Sequence, residues 1–181
     1  MTFRPRHEID NLYFVTGAIV QWTPIFTASD YRSIIFESLN WHCANQRMKL
    51  FAYVVMSDHL HWISYPLPPY TINDNIWSFA SYTAHEVIKV TKKLNDQVLL
   101  HKFSKSARLN KSHKIWRNFQ AKNIYSQGFL LQKMEYIHNN PLGKFHLDSR
   151  TDFPYSSARY YDEGKCTFIQ IEDIFDFLDR L

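Results

Sequence analysis

Apolar residues fall along this chain in two rhythms. Short runs of β-branched and aromatic residues read as strands at Leu12 to Val20 (LYFVTGAIV), Lys49 to Met56 (KLFAYVVM) and His59 to Tyr65 (HLHWISY), and Asn118 to Tyr125 is a weaker fourth. The second and third are separated only by Ser57-Asp58, a tight turn that predicts a hairpin. Between the strands the apolar positions switch to helical spacing. A helix starts at Thr27 or Ser29, which supply the capping hydroxyl, and runs to about Gln46 with Ile34, Ile35, Leu39 and Cys43 on one face. Thr71 to Leu94 forms a longer one, with Ile76, Phe79, Ala80, Thr83, Val87 and Val90 on one side. Phe129 to Asn140 forms a third, which Pro141 is expected to stop. Asn95 to Arg117 reads as irregular and exposed. The end of the chain reads as loops with a short acidic amphipathic helix at Ile171 to Leu181.

The order strand, helix, strand, strand, helix, strand, with one further helix, predicts an α+β fold. It is the ferredoxin-like (RRM-like) split βαβ antiparallel sheet with helices on one face and an extra C-terminal helix. Such a fold leaves a sheet face open to carry a site. The 181 residues suit a single domain, with a core over about 10–161 and a C-terminal extension over 162–181. There is no internal repeat.

Composition adds little until it is read by position. The chain is 45% hydrophobic and 21% charged, ordinary for a globular protein, and 17% aromatic, which is high. Aromatic rings fill cores, and they also stack on bases. The formal net charge is only +4, but Lys89 to Lys122 holds ten Lys or Arg against one acid, Asp96. The rest of the chain has eleven basic residues against sixteen acidic ones. The central stretch is therefore suited to a phosphate backbone, or is simply a solvated lysine-rich loop. The two cysteines, Cys43 and Cys166, are far apart and lack metal-type spacing, so a reducing cytoplasm is expected. No signal peptide and no membrane span is read in the sequence.

Two local patterns carry candidate chemistry. His59 and His61 flank Leu60 on a predicted strand, so both imidazoles point to one face and can reach one metal ion. Two structural histidines would look the same. Tyr136 and Asn140 (EYIHNNP) stand four apart on a predicted helix and share a face. An amide oxygen is an acceptable hard ligand for Mg²⁺ or Mn²⁺. A phenol titrates near 10 and attacks phosphorus only when a cation is close. A packed tyrosine and a polar helix end before proline is the plainer reading.

Together these patterns resemble the single-tyrosine HUH transposases, and among them the branch associated with repetitive extragenic palindromes. The resemblance is carried by VVMSDHLHW, then EYIHNNPLGKF, then DFPYSSARYY, with a similar opening at YFVTGAIVQWTPIF, and it covers about residues 10–161. It implies that His59, His61 and Asn140 hold a divalent metal, Mg²⁺ or Mn²⁺, and that Tyr136 on the extra helix is the nucleophile. The implied reaction is cleavage and rejoining of single-stranded DNA with hairpin or palindromic ends, through a 5′-phosphotyrosine and a free 3′-OH. It further implies work at the bacterial nucleoid, in the cytoplasm, as a monomer or a homodimer. Asn140 points to the palindrome-associated branch, since other branches often carry Gln there. The turn Ser57-Asp58 departs from the family's usual Pro followed by Asn or Glu, and Leu142-Gly143-Lys144 departs from its usual Val-Lys-x-Gly. Both departures leave the ligands in place.

In that setting the basic stretch is expected to fold over DNA. Trp116 with Arg117 and Phe119 would stack on unpaired bases, Trp62 either does likewise or is a buried core residue, and Lys111, Lys114 and Lys122 would follow the backbone. Asp58 either orients a histidine or is an exposed turn residue. The competing class is a non-catalytic single-stranded nucleic-acid-binding module of the same fold, which needs no metal.

Overall fold

A computed structural model describes residues 11–107 and 112–180. Strands β1 (Tyr13–Ile19), β2 (Met48–Val55), β3 (His59–Pro66) and β4 (Trp116–Asn123) form one sheet in the order β2-β3-β1-β4. Every neighbouring pair is antiparallel. This is the split βαβ topology the sequence predicts. The β2–β3 hairpin closes through Met56 N donating to His59 O at 2.9 Å.

Alternation along the strands divides the interior into two layers. Val15, Leu60, Trp62, Tyr53 and Val55 face one side and pack under α1 (Ser29–Ala44) and α2 (Ile72–Lys93). Phe14, Phe51, Val54 and Ile63 face the other side and pack under α4 (Gln127–Phe145), through its Leu130, Met134 and Ile137. Helices α1 and α2 thus cover one face, and the extra helix α4 crosses the other. Coverage on both faces explains why β2 is apolar almost throughout.

Trp62 belongs to the first layer. It is only 1% exposed and its Nε1 donates to Ser64 Oγ, so it cannot reach a base. It meets Phe79 and Phe119, and Phe119 meets Trp116. Gly17 makes this cluster fit: a Cβ there would lie 2.8 Å from Phe119 Cζ, so the ring could not keep its place against Trp62 and Phe79.

Several expectations need correction. The stretch read as irregular contains α3 (Gln97–Lys105), capped by Asp96, whose carboxylate accepts from Leu99 N. Its buried residues are only Leu99 and Phe103, too few to show a period among lysines and histidines. Strand β4 begins at Trp116, two residues earlier than expected. Neither Thr27 nor Ser29 caps α1: its cap position is Ala28, with no side-chain bond. Helix α4 does not stop at Pro141 but continues to Phe145 and ends on His146, at φ 52°. Pro141 cannot donate to the carbonyl of Ile137, but its ring is buried, and that burial offsets the missing bond. A short α5 (Ala158–Glu163) lies within the part read as loops.

The C-terminal segment closes the β2 edge. Glu172 N donates to Leu50 O, Ile169 is fully buried, and α6 (Ile174–Leu178) sets Phe177 against Phe51. Among the described residues, no helix is long and apolar enough to cross a membrane.

Candidate active site

The sheet face under α4 is not filled along its whole length. Toward the β2–β3 turn it opens into a cleft of about 610 Å³. Strand register decides which side chains enter it. Thr16 on β1 stands opposite His61 on β3 and opposite Gln120 on β4, so these three side chains share a row. His59 lies one row toward the turn, opposite Ala18, and Phe14 and Lys122 lie one row away from it. From above, α4 contributes Lys133, Tyr136, Asn140 and Lys144, spaced three to four residues apart on one stripe. The structure therefore brings His59, His61, Tyr136 and Asn140 to one cleft. The Tyr136 ring stands edge-on to His61 at 5.1 Å and to Phe14 at 5.9 Å, and its side of the helix is open.

His61 is held on three sides. Its Nδ1 pairs with Thr16 Oγ1 at 2.8 Å, and its ring stacks on Phe14 at 5.3 Å. Its Nε2 is buried and has no partner in the protein. Burial, followed by the charges of His59 and Lys133, lowers its pKa to about 3, so the ring is neutral at physiological pH. The Thr16 hydroxyl serves either tautomer, and in the one where Nδ1–H donates to it Nε2 keeps a lone pair.

His59 is fixed differently. Its Nδ1 donates to Asp58 Oδ1 at 2.6 Å, and the same oxygen accepts from Lys144 Nζ at 3.0 Å. Burial opposes ionisation of Asp58, but the bonds from Lys144 and then His59 prevail and hold its carboxyl below the usual carboxylate range. Asp58 is thus an orienting partner and not merely a turn residue. It sets the His59 tautomer so that Nε2 is the acceptor, and it ties the C-terminal end of α4 to the hairpin. Among the described residues no group of three or more His, Cys, Asp or Glu surrounds a common point. The candidate metal set is two imidazoles and the Asn140 amide. The unpartnered Nε2 of His61, the carboxylate-oriented His59 and a hard oxygen on the facing helix fit a divalent cation.

A second bond fixes α4 over the sheet. His138, which faces away from Tyr136, is 2% exposed, and its Nε2 pairs with Ser157 Oγ at 2.9 Å. That hydroxyl also meets the Tyr53 backbone on β2. Burial, followed by the nearby Arg150 charge, lowers the His138 pKa to about 4. The unfolded chain, titrating near 6.5, then takes up its proton before the folded one. Folding stability is expected to fall as pH drops from about 6.5 to about 4, by up to about 3 kcal/mol from this residue. His42, also buried with a lowered pKa, acts in the same direction. Urea midpoints across that range test this, and His138→Gln should flatten the slope. A midpoint that holds level between pH 7 and 5 would contradict the burial argument.

The expected DNA-binding residues separate. Lys122 lines the cleft and Arg117 is exposed beside it. Lys114 lies just before β4, its backbone N donating to Phe103 O. Lys111 lies outside the described residues. Trp116 requires correction: it is 7% exposed and its Nε1 donates to Thr83 Oγ1 on α2, so it is a core residue and not a stacking surface. Phe119 packs in the same cluster. Thr16, Lys133, Lys144 and Trp22 also line the cleft and were missed in the sequence. Only Lys133 carried a signal, one helical turn before Tyr136. Lys122, Lys133 and Lys144 give the cleft three cations.

An open antiparallel sheet with two imidazoles beneath a tyrosine-bearing helix defines the architecture. No family model matches the sequence, and no curated protein does. Among solved structures, the chain is similar to one described as the REP-associated tyrosine transposase bound to a REP hairpin. The TM-score is 0.63 at 16% identity, over 96% of this chain and 93% of that one. A putative transposase from Deinococcus radiodurans R1 is a weaker likeness, with a TM-score of 0.47 at 15% identity over 76% of this chain and 97% of that one. The chain thus shares the fold of a REP-associated tyrosine transposase across nearly its full length.

Proposed function

We propose that this protein is a transposase-type enzyme, a metal-dependent single-stranded DNA endonuclease and strand transferase acting at hairpin-containing DNA. The observation that carries the proposal is the meeting of His59, His61, Asn140 and Tyr136 in one cationic cleft. The shared fold with a transposase bound to a REP hairpin supports the DNA hairpin as the partner class.

In this reading Lys122, Lys133 and Lys144 attract the phosphate backbone. The Tyr136 oxygen forms a bond to phosphorus, the bond from phosphorus to the 3′ oxygen breaks, and the phenol proton leaves as the 3′ oxygen gains one. The DNA stays joined to the protein through a 5′-phosphotyrosine, which a 3′-OH can later attack to restore a phosphodiester. A divalent cation, Mg²⁺ or Mn²⁺, supplies Lewis-acid polarisation of the phosphate, and His59, His61 and Asn140 would hold it. Asp58 holds His59 in the tautomer that leaves its Nε2 free, and Thr16 fixes the orientation of the His61 ring.

Incubation with labelled hairpin-bearing single strands and Mn²⁺, resolved on a denaturing gel, tests this directly. A covalent protein–DNA band is expected that does not form when EDTA is present from the start. Binding without any adduct, unchanged by EDTA, would favour the non-catalytic module.

A further inference from the structure

Of the rings considered for base stacking, Trp62 and Trp116 are buried in the core and Phe119 packs half-buried against it, yet the cleft does hold one open tryptophan. Trp22 is 52% exposed and lines the cleft. Its ring stands edge-on to His59 at 6.1 Å, and the Arg117 guanidinium lies over it, 5.3 Å from the ring centroid. The other exposed tryptophans, Trp41 and Trp77, sit on α1 and α2 across the sheet.

The backbone that presents this ring is strained. Gln21 and Trp22 have φ of 54° and 51°, two consecutive left-handed residues of which neither is glycine. The strain persists because both sides of the turn are pinned. Ile19 N donates to Asp58 O and Val20 N donates to Ile115 O, each at 2.9 Å. Thr23 N and Oγ1 both donate to Val20 O. Gln21 Nε2 donates to Ser106 Oγ at the end of α3. A turn tied to the same residue that orients His59 holds a large apolar ring half in water, at the mouth of a cationic cleft. Core packing does not account for that arrangement.

We propose that Trp22 is a stacking platform for an unpaired nucleobase next to the phosphodiester held at His59 and Tyr136, with Arg117 bracing the ring and facing the strand. The proposal rests on the strand-transfer reading of the cleft. The ligand class is a nucleobase in single-stranded DNA, of any identity, since every base presents a π face. Arg117 adds a cation above the ring and a contact for the adjoining phosphate.

The test uses hairpin-bearing single strands in which an abasic site replaces, in turn, each nucleotide flanking the cleavage position. Adduct formation is followed in single turnover with Mn²⁺, and binding by fluorescence anisotropy. With wild-type protein, an abasic site at one flanking position is expected to slow adduct formation and weaken binding by about 10-fold. Trp22→Ala should show a similar loss on the intact strand and no further loss with that abasic site, while Trp22→Phe keeps most of the wild-type rate. Thermal melts establish that both variants fold. Trp22→Ala acting as the wild type, or losing rate by the same further factor at every abasic position, overturns the platform. Absence of an adduct in the wild type, alongside Trp22-dependent discrimination in anisotropy, overturns the strand-transfer reading and upholds the stacking.

Discussion

Tyr136→Phe is expected to abolish the covalent protein–DNA adduct, a loss of at least about 10⁴-fold, because it removes the atom proposed to attack phosphorus. The variant is unusually clean. The ring keeps its edge contacts with His61 and Phe14 and its place 5.6 Å from Lys133 Nζ. Among the described residues none hydrogen-bonds to the Tyr136 oxygen, so its removal leaves none of them newly unpaired. The ring is half exposed and the helix is held elsewhere, by His138 on Ser157 and Lys144 on Asp58. Affinity for hairpin-bearing single strands should therefore stay within about twofold, since the cleft cations and not the phenol carry the electrostatic term. An adduct that survives in the variant would sink the assignment. Peptide mapping would then turn to Tyr125, a second exposed tyrosine, just before α4.

The legible part of this site was the part written as local spacing. His59 and His61 two apart on a strand, and Tyr136 and Asn140 four apart on a helix, follow from backbone periodicity alone. The fold was legible for the same reason: β1 to β3, α1 and α2 carry long apolar periods. What the residues alone did not settle is that strand and helix meet, since only packing brings β3 and α4 together; the family resemblance supplied that expectation. The partners that orient the two histidines were partly hidden. Asp58 adjoins His59 in sequence, but Thr16 reaches His61 only through the β1–β3 register, and Lys144 reaches Asp58 only because α4 runs on past Pro141. The stacking rings were misread because aromaticity does not encode facing. Trp116 and Phe119 lie in a basic stretch that suggests solvent, yet strand alternation and the bare surface of Gly17 turn Phe119 inward, and Thr83 on α2 draws in the Trp116 indole. Trp22, which does face the cleft, sits in a left-handed turn that no residue type announces.

The second large effect is expected at His61, and there activity and stability should move apart. His61→Leu keeps much of the side-chain volume against Phe14 while removing a buried ring nitrogen that has no protein partner. Leaving a polar atom buried and unpaired costs about 1–3 kcal/mol, and replacing it with an apolar group recovers part of that. The substitution also strands Thr16 Oγ1, which loses its bond to Nδ1. That hydroxyl opens onto the cleft and can turn to water, so the balance favours a metal-free variant at least as stable as the wild type. The catalytic consequence runs the other way. With one imidazole gone, the remaining candidate ligands are His59 and the Asn140 amide, and adduct formation should fall by about 100-fold or more. The wild type should gain melting temperature as Mn²⁺ is added, because an ion that binds only the folded state stabilises it in proportion to the logarithm of its concentration. The variant should lose that gain. Differential scanning fluorimetry across a Mn²⁺ series, beside the adduct gel, reads both effects. A His61→Leu protein that still melts higher with Mn²⁺ and still forms the adduct would show that the cation is held elsewhere. A variant that unfolds without metal would show that the buried imidazole belongs to the core. Neither outcome fits a nitrogen kept neutral and unpartnered at the floor of a cleft, where its cost to folding is offset only by what it binds.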